Sequence, residues 1–159
     1  MIPAMIETHL REHHGGFEHL RHASAATAQD LAAAEHVSGY RVAKPVVVKL
    51  GDELALAVVS AAERVSLGVL EEATGTEVEL VPEDEFAARF EPCDAGAEPA
   101  LSVFDVPIFA DEKLLHGAKL VMQAGTHEDA ILFDTHEWIR CEKVQPVANL
   151  GARAAAGRH

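Results

Sequence analysis

The sequence predicts an α+β fold built around a mixed sheet. Three observations carry that prediction. The stretch RVAKPVVVKL at 41–50 holds three successive valines, and β-branched residues in a row fit a pleated strand covered on both faces. Two hairpins follow from short polar turns between apolar runs, one at Gly51-Asp52-Glu53 and one around GTHED at 125–129. Helical segments fall among the strands without strict alternation, which argues against a regular parallel α/β sheet.

Taken in order, residues 2–14 form an amphipathic helix with Ile2, Met5, Ile6 and Leu10 on one face, ended by Gly15-Gly16. Phe17 to His22 reads as a short strand. Thr27 caps a second helix over 28–36, broken by Ser38-Gly39. The strands Pro45–Leu50 and Leu54–Ser60 make the first hairpin. A helix from Ser66 to Thr74 stops at Gly75, a favoured C-terminal residue. The strand Val78–Val81 leads into a helix with Pro82 in its first turn. Glu83, Asp84 and Glu85 suit the positive end of that helix dipole, and Phe86 and Phe90 lie one turn apart on its buried side. Residues 91–102 read as a loop. Val103–Ala110 is strand-like, with Pro107 arguing for an edge position. Lys119–Ala124 and Ala130–Asp134 form the second hairpin, and a last helix begins near Thr135 and carries Trp138.

The 159 residues, 48% of them hydrophobic, suit one domain with a full core over 1–150. The tail GARAAAGRH at 151–159 is expected to be flexible. The N-terminus MIPAMIETHLREHH carries an early acid and too short an apolar stretch for a signal peptide. No apolar run approaches the ~18 residues of a membrane helix. With two reduced thiols, Cys93 and Cys141, a soluble cytoplasmic protein is expected. Net charge is −13, and the acidity sits in the middle: residues 51–100 hold 2 basic and 13 acidic groups. This excludes a DNA-binding or general nucleic-acid-binding protein, because sequence-independent affinity comes from basic groups neutralising phosphates. Holding the end of an RNA stays open if Arg41, Lys44 and Lys49 share a face.

No HExxH, CxxC, G-x-S-x-G, P-loop or dinucleotide fingerprint occurs. His9 and His13 are spaced i,i+4, but no third ligand follows locally, so the ten histidines are read as structural or exposed and no metal site is assigned. Cys93 sits beside Glu91 and Asp94 and reads as an inert thiol. Three features stand out together. Lys44 lies at the mouth of the valine strand, where a charge must reach water or a partner. The loop Gly96-Ala97-Glu98-Pro99 can offer backbone groups to a ligand. The turn Gly125-Thr126-His127 joins a glycine that permits close approach with a hydroxyl and an imidazole.

The ordered set YRVAK, ALAVVSAAERVSLGVLEEATG, PEDEF, DAGAEP and AGTHEDAI resembles the YbaK/ProX family, a domain also found as the editing insertion of bacterial prolyl-tRNA synthetases. The resemblance spans residues 17–147. It implies a mixed, barrel-like sheet flanked by helices. It also implies trans-acting hydrolysis of the ester that links a non-cognate amino acid to the acceptor end of a tRNA. In that reading Lys44 holds the terminal adenosine or its phosphate, and Gly96 contributes to catalysis through its backbone. Pro99, Gly125, Thr126, His127 and His22 line the substrate pocket. The family loop spaces its glycine and proline four apart, whereas Gly96 and Pro99 are three apart. Pro45 stands where a small hydroxyl residue often follows the lysine. No cofactor is implied, and a homodimer is a candidate assembly. Two alternatives remain: a non-catalytic module of this fold that binds an aminoacyl or nucleotide ligand or a partner protein, and a metal-dependent hydrolase using the histidines.

Overall fold

The computed structural model describes residues 1–21 and 42–153. The expected helix over 28–36 lies outside the described residues, as do His22, Arg41 and the tail from 154 onward. The elements run α1 (Ala4–His13), β1 (Glu18–Arg21), β2 (Ala43–Leu50), β3 (Glu53–Ser60), β4 (Glu63–Val65), α2 (Leu67–Thr74) and β5 (Val78–Leu80). They continue with α3 (Glu83–Phe86), β6 (Ile108–Asp111), β7 (Lys119–Gln123), β8 (Asp129–Asp134), α4 (Thr135–Cys141), β9 (Gln145–Val147) and β10 (Gly151–Arg153). Short 3-10 turns cover Ala87–Phe90, Ser102–Phe104 and Glu112–His116.

The architecture is α+β, as the pattern predicts, but the strands do not close into a barrel. The described strands form three sheets. A five-stranded mixed sheet has the order β5-β2-β3-β6-β9, in which β2 pairs antiparallel with β3 and β5 while β6 runs parallel to β3 and β9. The hairpin β7–β8 takes β1 as an antiparallel third strand, and Val42 bridges to Val121 between the two sheets. The third sheet pairs β4 with β10.

Alternation along β3 explains the layering. Leu56 and Val58 enter the large core with α1, Phe90, Met122 and Trp138, whereas Ala55, Ala57 and Val59 pack with Leu70, Phe109 and Leu150 on the other face. The central strands are thus covered on both sides, which the valine run requires. Ser66 caps α2 by accepting the Val69 N–H, and Gly75 closes it at φ 68.

Four expectations need correction. Met5 is partly exposed rather than on the buried face of α1, which is carried by Ile6 and Leu10. Pro107 does not mark an edge strand. It precedes β6, an interior strand, and only its carbonyl is used, accepting from Leu56 N–H. Val103 and Phe104, expected as strand, belong to the 3-10 turn Ser102–Phe104, and the strand begins only at Ile108. Residues 151–153 are not part of a loose tail: they pair with β4, and Gly151 N–H donates to the buried carboxylate of Asp111 at 2.7 Å.

Two polar anchors tie the termini down. Lys113 bonds Glu63 at 2.6 Å beneath β10. At the other end, the buried Glu142 carboxylate meets His9, His14 and the Ser102 N–H, joining α1 to the end of α4. Burial alone would raise the Glu142 pKa. The donors, His14 foremost, outweigh it and hold the carboxyl well below its ordinary range.

Candidate active site

The site forms beside the stretch of β2 that β5 does not reach. β5 pairs only with Val48–Leu50 of β2, so β2 from Ala43 to Val47 has no β5 partner beside it. A cavity of about 320 Å³ opens there, walled by Val47, Leu80, Val81 and Phe86. Lys44, Gly96, Glu98 and Gln123 supply its polar lining.

Lys44 sits half-buried, its Nζ donating to the Glu63 carbonyl. Burial lowers its pKa, Glu63 opposes that shift, and Arg64 adds to it. The polar head is therefore held by one backbone acceptor.

Glu98 is the residue the sequence reading passed over. It lies within the quoted G-A-E-P loop, but the signal lay in its burial, which the sequence does not display. Only 4% of it is exposed, and burial pushes its carboxyl up to about 7. Hydrogen bonds from its own N–H and that of Gly96 pull the other way, Glu83 adds to the rise, and the charge of His127 opposes it. Gly96 N–H reaches both carboxyl oxygens, at 3.0 and 3.2 Å. That N–H is thus engaged by Glu98 rather than free to face a substrate.

The two loops meet. Gly125 N–H donates to the Ala97 carbonyl, and Asp94 N–H donates to the Gly125 carbonyl, each at 2.8 Å. Gly96 and Gly125 therefore belong to one loop cluster despite their distance in sequence. Gly125 itself is held by packing. It has φ +95, and a Cβ there would stand 2.8 Å from Pro3 Cδ at the start of α1. Thr126 turns away from the cavity: its hydroxyl donates to the buried Asp129 at 2.6 Å, a carboxylate also met by His19. Pro99 is buried behind the loop. The Ala100 carbonyl beyond it accepts from the Trp138 indole at 2.8 Å. Of the residues singled out from the sequence, Lys44 and Gly96 line the cavity. Gly125 and His127 stand at its loop cluster, and Thr126 and Pro99 support that cluster from outside the lining. Cys93 lies near the loop, its thiol pushed up to about 12 by burial and by Glu98 and Asp94. It is a poor nucleophile there.

Lys44 and the buried carboxyl-bearing Glu98 line one small, mainly apolar cavity, a setting that suits the hydrolysis of an activated ester, the chemistry of a deacylase. The chain belongs to the aminoacyl-tRNA editing domain family, whose model matches residues 22–141. The activity that goes with the family is editing deacylation, with aminoacyl-tRNA as substrate. A comparison with curated proteins finds no match. Among solved structures, the chain resembles a candidate trans-editing enzyme for prolyl tRNA synthetase, with TM-score 0.80 and 18% identity over 93% of this chain and 98% of that one. It is similar to the hypothetical protein APE2540, with TM-score 0.81 and 18% identity over 93% of this chain and 99% of that one. A scaffold protein used for grafting linear epitopes is also similar, with TM-score 0.81 and 20% identity over 94% and 96% of the two chains. These likenesses concern the fold. Among the described residues no helix is long and apolar enough to cross a membrane.

Proposed function

We propose that this protein acts in trans, in the cytoplasm, removing a non-cognate amino acid from the 3′ end of a tRNA within the Lys44–Glu98 cavity. The observation that supports this reading is a buried carboxyl, Glu98, lining the same cavity as Lys44; burial pushes that carboxyl up to about 7. A general base works best when its pKa lies near the working pH.

In this mechanism Lys44 holds the terminal adenosine or its phosphate, and the aminoacyl side chain lies against Val47, Val81 and Phe86. Glu98 takes a proton from water as the water oxygen bonds to the ester carbonyl carbon. The bond from that carbon to the ribose oxygen then breaks, and the proton passes to the departing ribose hydroxyl. The ester is already activated, so positioning the water and ribose supplies much of the required barrier reduction.

Two observations favour a second reading, binding without turnover. Gly96 N–H is occupied by Glu98, and Pro45 offers no backbone donor beside Lys44. The site then has fewer donors for a developing oxyanion. A deacylation screen over a panel of misacylated tRNAs decides between the two. Hydrolysis of at least one ester well above its spontaneous rate supports the enzyme. No hydrolysis, together with saturable binding of a non-hydrolysable aminoacyl-adenosine analogue, supports the binding module.

A further inference from the structure

The histidine pattern read from the sequence pairs His9 with His13, but the fold selects a different set. His13 is exposed, its ring 4.6 Å from that of His9. The buried partner is His14, and the third member, Glu142, lies 128 positions further on. Ligand atoms of His9, His14 and Glu142 all fall within 4.8 Å of one another, the one such group among the described residues. None of the three lines the Lys44 cavity.

The hydrogen-bond accounting of His14 is informative. Its ring is fully buried between two carboxylates: Nε2 faces Glu142, and Nδ1 stands 3.4 Å from Glu137 Oε1. Nδ1 has no hydrogen-bond partner. A neutral imidazole carries a single N–H. Whichever nitrogen lacks it presents a lone pair to a carboxylate oxygen, an arrangement that a metal ion on one nitrogen would relieve. A cation on Nε2 would leave Nδ1–H directed at Glu137. That is the arrangement of metal-bound histidines, whose second nitrogen donates to a carboxylate that fixes the tautomer. His9 Nε2 also faces Glu142 Oε2, at 2.9 Å, while Glu142 Oε1 is held by the Ser102 N–H at 2.7 Å. Two Nε2 atoms thus converge on one carboxylate oxygen.

We propose that His9, His14 and Glu142 form a zinc site that joins α1 to the end of α4. Two imidazoles and one carboxylate are a donor set that zinc accepts, with water as the fourth ligand. Zinc bonds of 2.0–2.2 Å would spread the ligand atoms to roughly 3.3 Å apart, a movement of some tenths of an ångström that side-chain rotation supplies. The ion reaches the site past His9, whose side chain is 11% exposed against 0% for the other two. Its effect is to fix α1, which packs Pro3 against the Gly125 turn.

The test is a titration of untagged, chelator-treated protein with Co²⁺, followed by displacement with Zn²⁺. The expected result is one Co²⁺ per chain, a visible absorption band of four-coordinate cobalt, its loss on adding zinc, and a higher melting temperature with zinc than with chelator. H9Q should lose the band. E137Q leaves all three ligands in place on a partly exposed side chain and should weaken cobalt binding roughly 10–100-fold, with an unchanged circular dichroism spectrum. The proposal is overturned if wild type binds no more cobalt than H9Q, or if E137Q binds as tightly as wild type. In the first case the cluster is a hydrogen-bonded pin without metal; in the second, cobalt is held elsewhere than on a His14 ring oriented by Glu137.

Discussion

Glu98 shows how one residue can join the chemistry of the site to the stability of the fold. Its carboxyl is ordinary in the unfolded chain and raised to about 7 in the folded one, chiefly by burial. The folded protein therefore holds this proton more tightly than the unfolded chain does. The associated stability is complete below about pH 4.5 and is lost as pH rises toward 7, a difference of up to roughly 3 kcal/mol. Two outcomes are expected. The kcat/KM for ester hydrolysis should rise with pH and level off above about 7. Glu98→Gln should lose most of the activity and that pH dependence, yet match or exceed wild-type thermal stability at pH 8. A variant with a wild-type pH–rate profile would remove Glu98 from the chemistry. For Lys44, arginine should not restore full activity, because a planar fork places its donors differently from an ammonium bound to one carbonyl. Steady-state kinetics of Lys44→Arg would show this as a lowered kcat/KM.

The same glycine that looks like a ligand-binding signal serves packing at the scale of elements. Gly125 joins β7 to β8 at a positive φ with Pro3 of the α1 entry against it. Gly125→Ala should cost about 1–3 kcal/mol, from an unfavourable backbone region and the steric conflict. At roughly 2–4 °C per kcal/mol for a chain of this size, thermal unfolding would resolve the loss, and an unchanged melting temperature would contradict the packing described. Elements defined by local chemistry were legible in the sequence. The Gly51-Asp52 turn, the helix start near Ser66, the Gly75 stop and the Phe86–Phe90 pair all depend on neighbours within a few residues. What could not be read depends on distant partners. β4 and β10 are three residues each and exist by pairing with one another. Pro107 looks like an edge signal because the sequence does not show that its carbonyl, not its missing N–H, faces β3. The site divides the same way: Lys44 is visible as a charge before an apolar run, whereas the raised pKa of Glu98 requires walls contributed by separate segments. His14 stayed hidden because the i,i+4 spacing draws attention to His13.

At the scale of the whole molecule, the charge of −13 sets the terms of contact with RNA. Among the described residues Lys44 is the basic side chain in the cavity lining, and Lys113 is committed to Glu63. Uncharged tRNA should bind weakly, with a log–log salt slope shallower than about −3, since each neutralised phosphate contributes about −0.9. A steeper slope in a filter-binding series would mean that recognition extends well beyond the acceptor end. Little of the affinity then comes from the tRNA body, and discrimination rests on the cavity and its two loops.

The most direct test of that account is the deacylation rate of the best misacylated tRNA with wild type and with Lys44→Ala, measured side by side at pH 7.5. Lys44 makes one backbone hydrogen bond from a half-buried position, so its removal should cost little stability and circular dichroism should be unchanged. The account predicts turnover by wild type and hydrolysis by Lys44→Ala at the spontaneous rate. Equal turnover by the two proteins would contradict it and move the reaction away from this cavity.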